Sequence, residues 1–256
     1  MRRSLIALAL VLPVAVLAST ASAQEASAQK GNGWSAGIGA AWSPNPYKSY
    51  KNRAWPVPTV AYEGKSFYWR GPAFGYRLVN NEAFELSVVA SLYPQRFRAK
   101  DSRDAQVRQL DDRDFSGVAG FDARWRGDWG ALSGSAKKEF TGHGGGIIGD
   151  VNYSYPIQQG RVTWIPTVGV EYADAELNDY YYGVSTAEAA RSGLSAYRPG
   201  NTLTPYLSMA ARMQLNERWS AMVGVRTSRL ADDVKDSPMV GRSQAQAYLA
   251  SVNYRF

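Results

Sequence analysis

A single histidine, His143, stands in the run Thr141-Gly142-His143-Gly144-Gly145-Gly146. A hydrolytic site would need a serine or carboxylate placed to use that imidazole as a base. Two residues along the same segment, where a strand-borne serine nucleophile would stand, the chain has Gly145. Asp111-Asp112 and Asp232-Asp233 are consecutive carboxylate pairs that could polarise a water, but consecutive aspartates read first as solvated loop residues. The glycine run lacks the Lys-Ser/Thr of a phosphate-binding loop, so no nucleotide site follows. Cysteine is absent, which excludes disulfides, thiolate nucleophiles and cysteine-bound zinc. The expectation is no enzyme, no cofactor and no metal, with His143 on a flexible glycine-rich loop tip.

Three other segments carry chemistry of a binding kind. Between Trp42 and Trp55, the cations Lys48, Lys51 and Arg53 occur without an acid beside Tyr47 and Tyr50, a composition suited to anionic headgroups such as those of lipopolysaccharide. Pro94 to Asp114 mixes six basic with five acidic side chains and reads as a solvated, self-paired loop. Ala175 to Asn201 holds Asn178-Asp179-Tyr180-Tyr181-Tyr182-Gly183, rigid aromatics that bury area at little entropic cost. We expect this loop to plug the mouth of the structure that carries it, or else to bind a ligand. Tyr180, Tyr181 and Tyr182 should then pack inward, Gly183 should turn the chain back, and the hydroxyls should reach Arg226 or Asp150.

The elements that must position these loops are strands. After residue 32 no segment sustains a helical period, whereas many alternate with a period of two. Val162, Trp164, Val168 and Val170 oppose Thr163, Thr167 and Glu171; Val223 and Val225 oppose Met222 and Arg226; Tyr248, Val252 and Tyr254 oppose Ser251 and Asn253. The polar face carries Asp122, Arg124, Asp150 and Arg226 in mid-strand, which a dry core would not tolerate and a wet lumen would. Aromatics gather near strand ends, as at Trp34 and Trp42, Trp125 and Trp129, and Tyr153 and Tyr155.

Met1-Arg2-Arg3, the apolar stretch Leu5 to Ala18 and Ala21-Ser22-Ala23 form an export signal with cleavage near Ala23-Gln24. The formal net charge of +7 then falls to about +5, with no basic block for nucleic acid. The mean hydropathy of −0.34 excludes a helical membrane protein. The reading is an all-β chain: a transmembrane antiparallel β-barrel over 33–256, preceded by a signal peptide at 1–23 and a periplasmic stretch at 24–32. Short periplasmic turns alternate with long outer loops, giving about 12 strands, or about 10 if Lys65 to Val79 is one bent strand. The reversal at Arg70-Gly71-Pro72 is placed on the outer side. Tyr254-Arg255-Phe256 ends the last strand, with Tyr254 and Phe256 resembling the signal read by the barrel assembly machinery.

Pro56-Val57-Pro58 with Ala61-Tyr62-Glu63-Gly64, Phe67-Tyr68-Trp69-Arg70-Gly71 with Gly75-Tyr76-Arg77, the tyrosine loop with Tyr197-Arg198-Pro199-Gly200, and Asp236-Ser237-Pro238-Met239-Val240 together resemble the MipA/OmpV family. The resemblance implies an outer-membrane barrel in contact with lipid and lipopolysaccharide. In founding members it implies a scaffold joining a lytic murein transglycosylase to a murein synthase, and in other relatives an osmotic-response or adhesion role. It supplies no catalytic residues. The rival reading from the residues themselves is a narrow channel lined by small residues and opposed charges.

Overall fold

The computed structural model describes residues 33–52 and 54–256. The expected signal peptide, the stretch 24–32 and Arg53 lie outside the described residues. Thirteen strand segments form one antiparallel sheet that closes on itself, because β11, at one end of the strand order, also pairs with β10 near the other. They are β1 (Gly33–Trp42), β2 (Ala54–Glu63), β3 (Phe67–Arg70), β4 (Ala73–Asn80), β5 (Phe84–Tyr93), β6 (Ser116–Gly127), β7 (Gly130–Glu139), β8 (Ile147–Ser154), β9 (Ile157–Gln159), β10 (Val162–Ala173), β11 (Thr202–Gln214), β12 (Trp219–Arg229) and β13 (Gln244–Arg255). β8 and β9 both pair with β10 and are two arms of one wall strand, so the barrel has 12 strands. β13 pairs with β1 from Arg255↔Ser35 to Tyr248↔Trp42, so the terminal strand lies beside the first.

Alternation decides which face each residue takes. Ile38, Phe121, Val168, Leu203, Leu207 and Val223 point outward and are exposed, while Val57, Ser87, Arg124, Thr167 and Arg226 point inward and are buried. An apolar exterior with a polar interior is the pattern of a barrel in lipid. Aromatic clusters mark its two ends. Trp34 meets Tyr62 and Trp69, Trp129 meets Trp125 and Tyr153, and Trp219 meets Tyr254 near the short turns. Trp42 meets Tyr248 at the far end.

Two expectations are refined. The reversal at Arg70-Gly71-Pro72 exists, with Gly71 at φ +54°, at the outward-pointing end of the β3–β4 hairpin; it is level with Leu92 near the outer end of β5 but only with Val60 of β2. β3 pairs only with Ala61, Tyr62 and Glu63 of β2, so the hairpin turns within the height of the wall. The outer connections also contain helices: α1 (Ala175–Tyr182), α2 (Thr186–Ser192) and α3 (Asp232–Lys235). These are too short to show a period in sequence, and their ends are fixed by caps instead. The Asp174 side chain accepts from the Leu177 N–H, Ser185 and Glu188 form a reciprocal capping box, and Gly193 ends α2 at φ +72°.

Candidate functional site

The outer connections do not stand apart; they share a hydrophobic core of their own. Tyr47 comes from 43–53, Phe97, Val107 and Leu110 from 94–115, Val184 from 174–201, and Leu230, Val234, Met239 and Val240 from 230–243. All are buried, Phe97, Val107 and Met239 completely. This core sits on the barrel mouth as a cap. Pro94 to Asp114 is therefore not merely a solvated charged loop. Its apolar residues enter the cap while Arg98 pairs with Asp112 at 3.0 Å and with Asp114.

The tyrosine segment is the cap's organising element. A helix leaves its last carbonyls without partners in its own backbone, and at the end of α1 three other connections supply them. Arg113 Nε donates to the Tyr180 carbonyl at 2.6 Å, the Tyr47 hydroxyl donates to the Tyr181 carbonyl at 3.2 Å, and Ser237 Oγ donates to the Tyr182 carbonyl at 2.6 Å. Asn178, also buried, donates to the carbonyls of Ala173 and Gly200 and to Thr202 Oγ1, tying the root of the connection to both flanking strands. Asp179 is half-exposed and lies 3.7 Å from an exposed Arg198.

The side chains of the three tyrosines divide. Tyr181 is 1% exposed and packs against Tyr93 and Tyr180. Its hydroxyl donates to the Asp114 carbonyl at 3.1 Å and lies 2.7 Å from Ser116 Oγ. The Tyr180 hydroxyl accepts from the Asp114 N–H at 2.9 Å. Tyr182 is half-buried and lines a cavity beneath the cap. Burial pushes the Tyr181 and Tyr182 phenols well above the ordinary tyrosine range. The expected partners Arg226 and Asp150 are engaged by a different ring: Arg226 stacks 3.5 Å from the Tyr206 centroid, and Asp150 accepts the Tyr206 hydroxyl at 3.2 Å. α1 lies over the β5–β6 side of the mouth, which puts Asp114 and Ser116 within reach of the tyrosines instead. Gly183 follows α1 at φ −72°, so it supplies close approach rather than a left-handed turn: a Cβ there would collide with Asp179.

Arg113 and Glu188 form the cap's buried ion pair. An Arg113 nitrogen lies 2.7 Å from Glu188 Oε1, and that oxygen also accepts the Asp111 N–H at 2.9 Å. Burial alone would raise the Glu188 carboxyl, but the Ser185 and Asp111 N–H groups and the Arg113 guanidinium outweigh it and hold it at about 2.

His143 is held in place, and the glycine run is a bonded turn rather than a free tip. Glu139 accepts the N–H groups of Thr141, His143 and Gly145. The imidazole stacks on Tyr180 at 5.2 Å, and its Nδ1 lies 2.8 Å from the Phe115 carbonyl. These contacts are structural in kind. Lys48 and Lys51 use their backbone N–H groups on Met239 and Asp101, and Tyr47 and Tyr50 turn inward to Phe97. Tyr254 and Phe256 meet edge to face at the seam beside β1, where the Phe256 N–H donates to the Trp34 carbonyl.

Inside the barrel, near the short turns, sits a charged cluster that the loop-centred sequence reading does not single out. Glu63 pairs with Arg70 and Arg77, each at 2.5 Å, and Arg77 lies 3.3 Å from Glu85. Both guanidiniums stack on Tyr68, at 4.1 and 4.8 Å. Tyr68 is the register partner of Gly75 and its ring covers that glycine, as Tyr206 covers its partner Gly169. The signal was present in sequence: alternation puts Glu63, Tyr68, Arg70, Gly75, Arg77 and Glu85 on one face of four consecutive strands, β2 to β5.

A family model described as MltA-interacting protein MipA matches residues 36–256. The MltA-interacting protein of Escherichia coli is 37% identical over 223 residues, covering 87% of this chain and 90% of that relative. The outer membrane protein OmpV of Vibrio cholerae is 24% identical over 255 residues, covering 97% and 99%. Among solved structures, an outer membrane channel from Pseudomonas putida aligns with a TM-score of 0.48 at 8% identity, over 89% of this chain and 97% of that one.

Proposed function

The chain belongs to the MltA-interacting protein family of outer-membrane β-barrels, and on that premise we propose that it is a closed, non-enzymatic barrel acting as a scaffold for murein-active enzymes. The observation that carries this reading is the cap. Arg113, Tyr47 and Ser237 are committed to bonds between connections, and the cap's apolar side chains to a shared core, so the mouth is built for closure. A relative sharing 37% identity is named for interacting with MltA, a lytic murein transglycosylase in the resemblance above.

Murein enzymes work on the periplasmic side, where the turns are short. The scaffold surface is then the rim, where Lys65, Arg161, Arg218 and Arg255 are exposed among Glu82, Asp128 and Glu217. A mildly basic rim suits an acidic face on the partner. On the opposite side, Lys48 and Lys51 meet lipopolysaccharide phosphates; at the short-turn end, Tyr254 with Phe256 serves the assembly machinery.

The test is co-purification from gently solubilised membranes. Recovery of a transglycosylase or synthase, lost when Lys65, Arg161 and Arg218 are reversed to glutamate, supports the scaffold. Recovery of neither, while other envelope complexes survive the same extraction, removes it.

A further inference from the structure

The barrel wall has an unpaired edge in its outer half, and the sequence is adapted to it. On its first side β2 pairs with β1 along its whole length, from Glu63↔Gly33 to Ala54↔Trp42. On its second side its ladder with β3 stops at Ala61, and one further bond follows, from the Gly71 N–H to the Val60 carbonyl. Beyond Val60, β2 has no strand partner on that side among the described residues. The β3–β4 hairpin ends there, its other flank held by the Leu92 N–H on the Pro72 carbonyl. The interval lies at hydrocarbon depth. Pro58 and Pro56 sit beside Ile38 and Ala40, between the levels of Trp34 and Trp42.

An open strand edge in hydrocarbon leaves polar backbone groups unsatisfied. In an antiparallel strand the N–H and C=O of one residue point to the same neighbour, and successive residues alternate. The Val60 carbonyl faces the hairpin, so Pro58, Pro56 and Ala54 face the open interval. Proline has no N–H. The two donors that would be stranded at that depth are thus absent from the chain, the device by which edge strands tolerate lack of a partner.

Behind the interval lies the cavity of about 580 Å³ beneath the cap, in the range of small-molecule sites. It touches Trp55 on β2 and Tyr93 and Pro94 at the end of β5, the two flanks of the gap, with Tyr182 above. Its rim carries Arg96, whose Nε is buried without a hydrogen-bond partner, and Lys51; the acids lining it are Asp101 at the rim and Glu171, which pairs with Arg226. The mouth above is covered by the shared core of the connections, and the interval beside Trp55 and Tyr93 offers a second approach to this cavity, from the outer leaflet.

We propose that this interval is a lateral port through which a long-chain fatty acid enters, its alkyl chain passing Pro56 and Pro58 into the cavity and its carboxylate meeting Arg96. The surrounding leaflet supplies the apolar chain, and the unpartnered Arg96 nitrogen selects the anionic head. This goes beyond the scaffold reading and does not depend on it.

The experiment uses the full-length barrel in lipid nanodiscs with a palmitic acid carrying a terminal diazirine, irradiated and mapped by mass spectrometry. Adducts are expected on Trp55, Tyr93 and Tyr182, falling severalfold with excess palmitate, while adducts on lipid-facing Ile38 and Phe121 do not fall. In Arg96→Gln, about tenfold more palmitate should be needed for the same competition. Adducts confined to lipid-facing residues, or adducts at Trp55 that palmitate does not compete, overturn the port. Unchanged competition in Arg96→Gln overturns the assignment of the head group.

Discussion

Arg113 and Glu188, 75 residues apart in sequence, meet at 2.7 Å and join the connection after β5 to the capping box of α2. The carboxylate is depressed to about 2, so it binds its proton less readily in the folded cap than in an unfolded chain. The stability it contributes is complete above the unfolded glutamate value and is lost as pH falls from about 5 to 2. The linked energy is about 3 kcal/mol. The cap should therefore become protease-sensitive below about pH 4 while the barrel stays intact, and Glu188→Gln should bring that sensitivity to pH 7. Equal digestion of Glu188→Gln and wild type across this window would contradict the assignment.

Replacing Tyr180, Tyr181 and Tyr182 together with alanine should raise both planar-bilayer conductance and proteolysis within 174–201. The substitution removes the Tyr181 ring from its contacts with Tyr93 and frees the hydroxyl partners at Asp114 and Ser116. It leaves the carbonyl bonds from Arg113, Tyr47 and Ser237 possible. A partial opening rather than wholesale loss of the cap is thus expected. If neither conductance nor cleavage changes, the tyrosines are not what closes the mouth.

The wall was readable from sequence and the cap only in part, for a physical reason. Alternation is a local property, fixed by the pleat, so Val223 against Met222 or Val252 against Ser251 announces its face without knowledge of the partner strand. The strand count also followed, including the break between Phe67–Arg70 and Ala73–Asn80. How high that hairpin reaches depends on register, which no local pattern encodes. The cap's bonds are long-range. Tyr47 reaches Tyr181 across 134 residues and Ser237 reaches Tyr182 across 55, and nothing near either residue specifies the other. The helices hid for a different reason, since two turns fixed by Asp174, Ser185 and Gly193 leave caps but no period.

Phe256 is 75% exposed and contributes little packing beyond its contact with Tyr254. Its removal should therefore cost the finished barrel less than about 1 kcal/mol, within the range of surface changes. If the residue serves assembly, deleting it should lower the amount of barrel reaching the membrane several-fold while leaving the heat-resistant mobility of whatever inserts unchanged. A proportionate fall in both would make it a structural residue only.

Gly75 and Glu63 give the last prediction, because one cluster can be disturbed from two directions. The Tyr68 ring occupies the space above Gly75, so Gly75→Ala must push the ring away. That removes the surface on which Arg70 and Arg77 stack, but leaves Glu63 to neutralise them. Glu63→Ala does the reverse: the ring stays and two buried guanidiniums lose their shared carboxylate, with Glu85 still near Arg77. Removing one member of a buried ion pair costs about 3–5 kcal/mol, whereas displacing one stacked ring costs about 1–2 kcal/mol. Glu63→Ala should consequently lower the urea midpoint more than Gly75→Ala, and Glu63→Ala with Arg70→Met should recover part of the loss. Were Gly75→Ala the more damaging of the two, the cluster would be held chiefly by the ring over the glycine, and its charges would be secondary.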